Sequence, residues 1–186
     1  LSAIGSASGS GKSMRDFLVA LWPLHRTLNS DDMERALEMC GEFVADLGDQ
    51  VQFRMERFRP GEDVYTWWIP ERYKVNEAWL EIDGERIADF KDNPLHLLSY
   101  SVPTVIDGRL GDMRDHIWSR EKNPDAIPWE FKYYDRSWGF CVRHNDLMRF
   151  RDDAVVKGVI DVEFTDEDFC IADIFLPGES DEEMLF

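Results

Sequence analysis

Four histidines, three cysteines and 38 acidic residues are the groups of this chain that could bind a metal or act as nucleophile or base. A zinc site needs several His, Cys or carboxylate ligands converging on one point, usually with at least one pair close in sequence. His25, His96, His116 and His144 show neither H-x-x-x-H nor H-E-x-x-H spacing, so the residue pattern assigns no metal ligand and no catalytic residue. Cys141 and His144 stand three positions apart in Trp138-Gly139-Phe140-Cys141-Val142-Arg143-His144-Asn145. Catalytic Cys and His are normally brought together by the fold rather than by neighbouring positions, and cysteine is among the most buried residue types, so core packing is the stronger reading. His96, flanked by Leu95, Leu97 and Leu98, reads as a satisfied core histidine. Ser8-Gly9-Ser10-Gly11-Lys12-Ser13 resembles the end of a phosphate-cradling loop, but the first glycine of that pattern falls on Ser6. Residues 1–13 therefore read as a flexible leader.

Aromatic residues offer a second kind of chemistry, recognition without catalysis. Tyr65, Trp67, Trp68, Trp79, Trp129, Tyr133, Tyr134 and Trp138 could line a ligand groove, since aromatic walls suit peptides and sugars; sheet and core surfaces are the default use of such residues. A formal charge of -17, from 21 basic against 38 acidic residues, repels phosphates and anionic lipid, so neither nucleic acid nor a membrane is an expected partner. Cys40, Cys141 and Cys170 form no C-x-x-C pair and are odd in number, which argues against a disulfide framework and fits a reducing cytoplasm. No apolar run approaches the roughly 18 residues of a membrane span.

The elements that must position these groups follow from periodicity. Phe17, Leu18, Leu21 and Trp22 recur at helical spacing, and Pro23 ends that helix. A second helix is capped by Ser30, carries Asp31, Asp32 and Glu34 at its positive end, presents Met33, Ala36, Leu37, Cys40, Phe43, Val44 and Leu47 as one stripe, and closes at Gly48. Alternation predicts a strand over 51–58. From 65 to about 145, closely spaced prolines and turn pairs favour short strands and loops, with a hairpin at Asp83-Gly84. Ile160, Val162 and Phe164, then Thr165–Asp168, then an apolar run from Phe169 to Leu176 predict a second hairpin. Met184, Leu185 and Phe186 read as the first residues of a further strand, which suggests truncation.

Several blocks in order resemble the bacterial aminopeptidase-like proteins of the co-catalytic zinc exopeptidase clan, which carry an inserted β-rich domain near their start. The blocks are Leu21–Leu28, Tyr65–Pro70, Asp89-Phe90, Pro94-Leu95-His96, Tyr100-Ser101 with Pro103, Pro124–Pro128, Tyr133-Tyr134, Trp138–Cys141 with His144-Asn145, and Val159–Asp161. The resemblance implies an α/β fold: helices and early strands of a zinc-exopeptidase-type sheet plus an inserted β-rich, protease-associated-like domain. It implies a division into the leader 1–13, the start of the α/β domain at 14–64, the insert at 65–150 and a return at 151–186. It also implies a two-zinc hydrolase acting on peptides or amino-acid conjugates, with the metal ligands and general base beyond Phe186 and zinc expected in the full-length protein rather than in this chain. Tyr100, Trp138, Cys141 and His144 are the substrate-cleft candidates by that resemblance, and oligomers are possible. Where some relatives have a glycine-containing segment, this chain has Asn29-Ser30-Asp31-Asp32, which puts that loop's role in doubt. The alternative is a complete, non-catalytic binding module.

Overall fold

A computed structural model describes residues 13–45, 48, 50–180 and 184. The phosphate-loop-like leader and most of the run at 184–186 lie outside the described residues, as does Leu47 of the helical stripe.

The chain opens with helix α1 (Met14–Leu21), whose first turn is closed by the Ser13 side chain accepting from the Asp16 backbone N–H. Helix α2 (Asp31–Ala45) starts where Ser30 Oγ accepts from the Met33 N–H at 3.1 Å, with Asp31, Asp32 and Glu34 at the positive end of its dipole. Phe17 of α1 stacks on Phe43 of α2 with centroids 4.5 Å apart, so the two apolar stripes meet. Strand β1 (Gln52–Phe58) follows, then a small hairpin of β2 (Asp63–Val64) and β3 (Trp67–Trp68).

The long strand β4 (Arg72–Ile82) turns at Asp83-Gly84 into β5 (Glu85–Asp89). Both turn residues have positive φ, 49° and 80°, the backbone that favours Asp-Gly in two-residue hairpins. Next come β6 (Thr104–Arg109), the short helix α3 (Leu110–Met113), β7 (Ile117–Trp118), β8 (Phe140–Cys141), the short helix α4 (His144–Leu147), β9 (Val155–Thr165) and β10 (Phe169–Phe175).

Four strands form an antiparallel sheet in the order β5-β4-β9-β6. Its inner face carries the core, in which Leu80, Ile82, Val156, Phe140, Leu110 and Val142 are wholly buried. Removing one such leucine side chain costs about 2–5 kcal/mol. The fold is mixed α/β, as expected.

The second expected hairpin does not form. Strand β9 pairs with β4 on one side and β6 on the other, and β10 instead pairs antiparallel with β1, from Gln52 opposite Phe175 to Phe58 opposite Phe169. Local alternation identifies both strands but not their partners, and β4, with eleven residues, offers β9 a longer ladder than β10 can. The β1–β10 ribbon packs beside α2, apart from the four-stranded sheet. The strand that completes that sheet, β9, lies after residue 150, the expected end of the insert.

Candidate functional site

A cleft of about 260 Å³ is lined by Trp68 of β3, Glu71 of the β3–β4 link, Tyr100, Tyr133, Tyr134 and Arg136, with Asp166 of the β9–β10 link. Local chemistry fixes the lining. The Gly61 N–H donates to the Ile69 carbonyl at 2.7 Å and the Ile69 N–H to the Glu62 carbonyl at 3.0 Å, which folds the β2–β3 hairpin over the cleft floor. Gly61 has φ 84°, a backbone that a side chain would strain.

Tyr100 is 2% exposed and has φ 67°, a conformation costing about 1–3 kcal/mol for a residue other than glycine. Its surroundings hold it there. Its hydroxyl accepts from the Asn29 N–H at 3.1 Å and donates toward the Glu71 carbonyl at 3.0 Å, with the Asn29 carbonyl also in reach at 3.3 Å. Its ring stacks on Tyr73 at 5.0 Å and meets Tyr133 edge-on at 5.3 Å. Tyr134 packs on Trp68 at 4.2 Å and donates its hydroxyl to the Trp68 carbonyl at 2.9 Å.

Burial raises the pKa of Tyr100, Tyr133 and Tyr134, so all three phenols stay neutral donors at physiological pH. Arg136 is ion-paired with Glu71, and its guanidinium lies 4.3 Å from the Phe164 ring centroid. The Asp166 carboxylate meets no hydrogen-bond or ion-pair partner among the described residues. Aromatic walls, the Tyr133 phenol, an Arg–Glu pair and a free carboxylate can hold and orient a ligand; they include no activated nucleophile.

Of the four residues singled out in the sequence, Tyr100 lines this cleft and the others stand elsewhere. Trp138 stacks on His116, centroids 3.9 Å apart and planes 6° off parallel, and its carbonyl bonds His116 Nδ1 at 2.9 Å. Cys141 is wholly buried, and burial pushes its thiol up to about 12. His144 bonds Ser119 Oγ through Nδ1 at 3.0 Å, and no Cys141–His144 bond forms among the described residues. His96 bonds the Cys141 carbonyl at 2.8 Å, a satisfied histidine packed beside the core.

Each of these three imidazoles is thus occupied by a local partner, and the fourth, His25, faces Tyr73 and Phe90. Among the described residues no three His, Cys, Asp or Glu side chains are grouped so as to hold an ion. The described residues do not fit a two-zinc centre. All three cysteines are free.

Trp68, Tyr133 and Tyr134 belong to the aromatic set flagged by the sequence. Glu71, Arg136 and Asp166 do not, because one carboxylate among 38 acidic residues carries no signal of its own.

Such a fold, a four-stranded antiparallel sheet flanked by helices and bearing an aromatic cleft, defines a class by its matches. Residues 72–162, the span from β4 nearly to the end of β9, match a family described as a domain of unknown function (DUF2172). A Clostridium acetobutylicum protein, named provisionally as a polysaccharide biosynthesis protein with an aminopeptidase-like domain, is 25% identical over 183 residues, covering 98% of this chain and 40% of that protein. A crystal structure of a provisionally assigned peptidase, also from Clostridium acetobutylicum, superposes with a TM-score of 0.71 and 24% identity, covering 83% of this chain and 35% of that one. The chain thus spans well under half the length of either relative, and the structural likeness establishes a shared fold. No described helix is long and apolar enough to cross a membrane.

Proposed function

We propose that this chain is the substrate-facing portion of a longer peptidase-like hydrolase, with residues from β4 to β9 forming a recognition unit beside a catalytic domain. What carries the reading is the alignment of nearly the whole chain onto two fifths of a relative that bears an aminopeptidase-like domain. The shared fold with a crystallised relative assigned as a peptidase supports it. In this reading the zinc ligands and general base belong to residues outside this chain, the substrate is a peptide or a small amino-acid conjugate, and the setting is cytoplasmic. The division at 14–64, 65–150 and 151–186 is kept in outline, with the insert extended through β9, because β9 is hydrogen-bonded to both β4 and β6.

A second reading, a non-catalytic binding module, draws on the aromatic cleft and its lack of an activated nucleophile. One experiment separates the two. The protein expressed from its full reading frame is incubated with short peptides bearing free amino termini, with and without a chelator, and released amino acids are counted. Release that the chelator abolishes, with none from residues 1–186 alone, supports the hydrolase. Binding of the peptides without release would leave the module.

A further inference from the structure

Ser99 marks the middle of a short irregular sheet that no regular strand assignment reveals. Strand β7 pairs with β8 in parallel, Leu97 bridges Phe140 of β8, and the Leu98 N–H donates to the Gly139 carbonyl at 3.1 Å. On the opposite edge of the same segment the Ser99 N–H donates to the Glu130 carbonyl at 3.2 Å, and the Lys132 N–H donates to the Ser99 carbonyl at 3.0 Å. These two bonds define a parallel bridge between Ser99 and Phe131. The order is therefore β7, β8, residues 97–99, residues 130–132, and then an edge.

In an extended segment, successive peptide groups point to opposite sides. Because the Glu130 carbonyl and Lys132 N–H face Ser99, the N–H and C=O of Phe131 face outward, and among the described residues neither has a hydrogen-bond partner. Side chains alternate as well, which sets Trp129, Phe131 and Tyr133 along one face. Their rings follow one another at 4.9 Å and 4.6 Å, and Trp129 and Phe131 remain 53% and 46% exposed. Tyr133 is at once the last ring of this row and a lining residue of the cleft, so the open edge adjoins the pocket that Asp166 also lines.

We infer that the 129–133 edge takes an extended peptide by strand addition, its alternate side chains lying on the Trp129–Phe131–Tyr133 row and a cationic group reaching Asp166 in the cleft. Strand addition uses free main-chain groups for affinity and side-chain contacts for selectivity; here the free groups are those of Phe131 and the contact surface is the row of rings that ends at the cleft. Charge sets the sign of the ligand. A chain of net charge -17 with an unpaired carboxylate among the residues lining the cleft attracts a basic peptide or a free amino terminus and repels an acidic one. The inference deepens the hydrolase reading and rests on it only for the class of ligand, a peptide.

The test titrates the protein, expressed from its full reading frame, with a lysine-containing heptapeptide of valine and threonine, following tryptophan emission. The same peptide N-methylated at alternate residues cannot donate to the edge and requires no change in the protein. Saturable binding of the parent, weakened at least tenfold by N-methylation, is the expected result. Asp166→Asn is expected to weaken the lysine peptide about threefold to tenfold and to leave an uncharged analogue unchanged. Equal affinity for parent and N-methylated peptides, or no saturable binding because the remainder of the longer protein covers the edge, would overturn the proposal. Hydrolysis is scored separately. Cleavage with binding indifferent to N-methylation removes the edge and leaves the peptidase; N-methyl-sensitive binding without cleavage does the reverse.

Discussion

The guanidinium of Arg72, 5% exposed at the start of β4, donates to the Glu34 carboxylate of α2 at 2.8 Å. The same guanidinium donates to Asp31 at 3.0 Å and to the Asp168 carbonyl, so one buried cation joins the first turn of α2, the four-stranded sheet and the β9–β10 link. Removing Arg72 leaves the mostly buried Glu34 carboxylate with Arg57 as its remaining cation and takes the donor from the Asp168 carbonyl. Arg72→Met is expected to lower stability by about 1–3 kcal/mol, read as a fall in the urea midpoint. Replacing Glu34 as well removes the carboxylate and leaves only the half-exposed Arg57 without a partner, so Arg72→Met with Glu34→Met should recover part of that loss. A double variant less stable than the single one would show that the pair is not the source.

Tyr100→Phe removes one oxygen and keeps the ring stack on Tyr73. The Asn29 N–H, buried and otherwise unpartnered, then loses its acceptor. An unsatisfied buried donor costs about 1–3 kcal/mol. Because Tyr100 also lines the cleft, peptide affinity should fall along with stability. An unchanged melting temperature in Tyr100→Phe would contradict this account of how Asn29 is anchored.

The long elements were legible because their signals are local. Ser30 and the acidic residues after it marked the start of α2, and Asp83-Gly84 marked the β4–β5 turn to the residue. Partner choice was not legible. The alternation in Ile160–Phe164 and Phe169–Leu176 is the same whether the two strands pair with each other or, as found, with β4, β6 and β1. The cleft was half visible: its aromatics stand out by type, whereas Glu71 and Arg136 meet across 65 residues of chain and Asp166 joins them in the lining only through the fold. The open edge at Phe131 was hidden altogether, since a bridge from Ser99 to Phe131 is set by packing rather than by any pattern around either residue.

Gly139 precedes β8, and a Cβ built there would stand 2.6 Å from the His116 carbonyl and 2.1 Å from a carbon of the Trp118 ring. The carbonyl is backbone, and Trp118 is held in β7, so neither can give way cheaply. Gly139→Ala should therefore cost about 1–3 kcal/mol through overpacking, with a lower melting temperature and a disturbed His116–Trp138 stack. Wild-type thermal stability in this variant would contradict the close approach.

Cys141 has no exposed surface, and its thiol is pushed up to about 12. Only the thiolate reacts with iodoacetamide. At pH 8 the folded protein should leave Cys141 unlabelled for hours, and urea should release it to react at the rate of a free thiol. Peptide mapping by mass after each treatment reads the site directly. Rapid labelling of Cys141 in the native protein would restore it as a candidate nucleophile.

The pH dependence of stability has an identifiable source in His25. Its ring meets Tyr73 and Phe90 edge-on at 6.0 Å and 5.0 Å, and Nε2 is sealed from solvent without a hydrogen-bond partner. Burial lowers its pKa to about 4, against the opposing pull of Asp32, whose carboxylate also accepts the His25 backbone N–H at 2.7 Å. In the unfolded chain the imidazole takes its proton near the ordinary value of about 6.5. Between those two values the unfolded state binds more protons than the folded state, so stability falls as pH falls. The contribution is complete above about pH 6.5 and is spent once pH drops through about 4, a difference of roughly 3 kcal/mol. By pH 5 about 2 kcal/mol of it should be gone, before the carboxylate of Glu34, held below its usual range by Arg57 and Arg72, begins to add its own loss. His25→Leu keeps the backbone bond to Asp32 and removes the titrating group. Urea midpoints taken from pH 7.5 down to pH 5 should decline for the parent and decline less for His25→Leu, whose remaining slope comes from His96, its pKa lowered by its own burial; parallel curves would mean that the proton is taken up elsewhere.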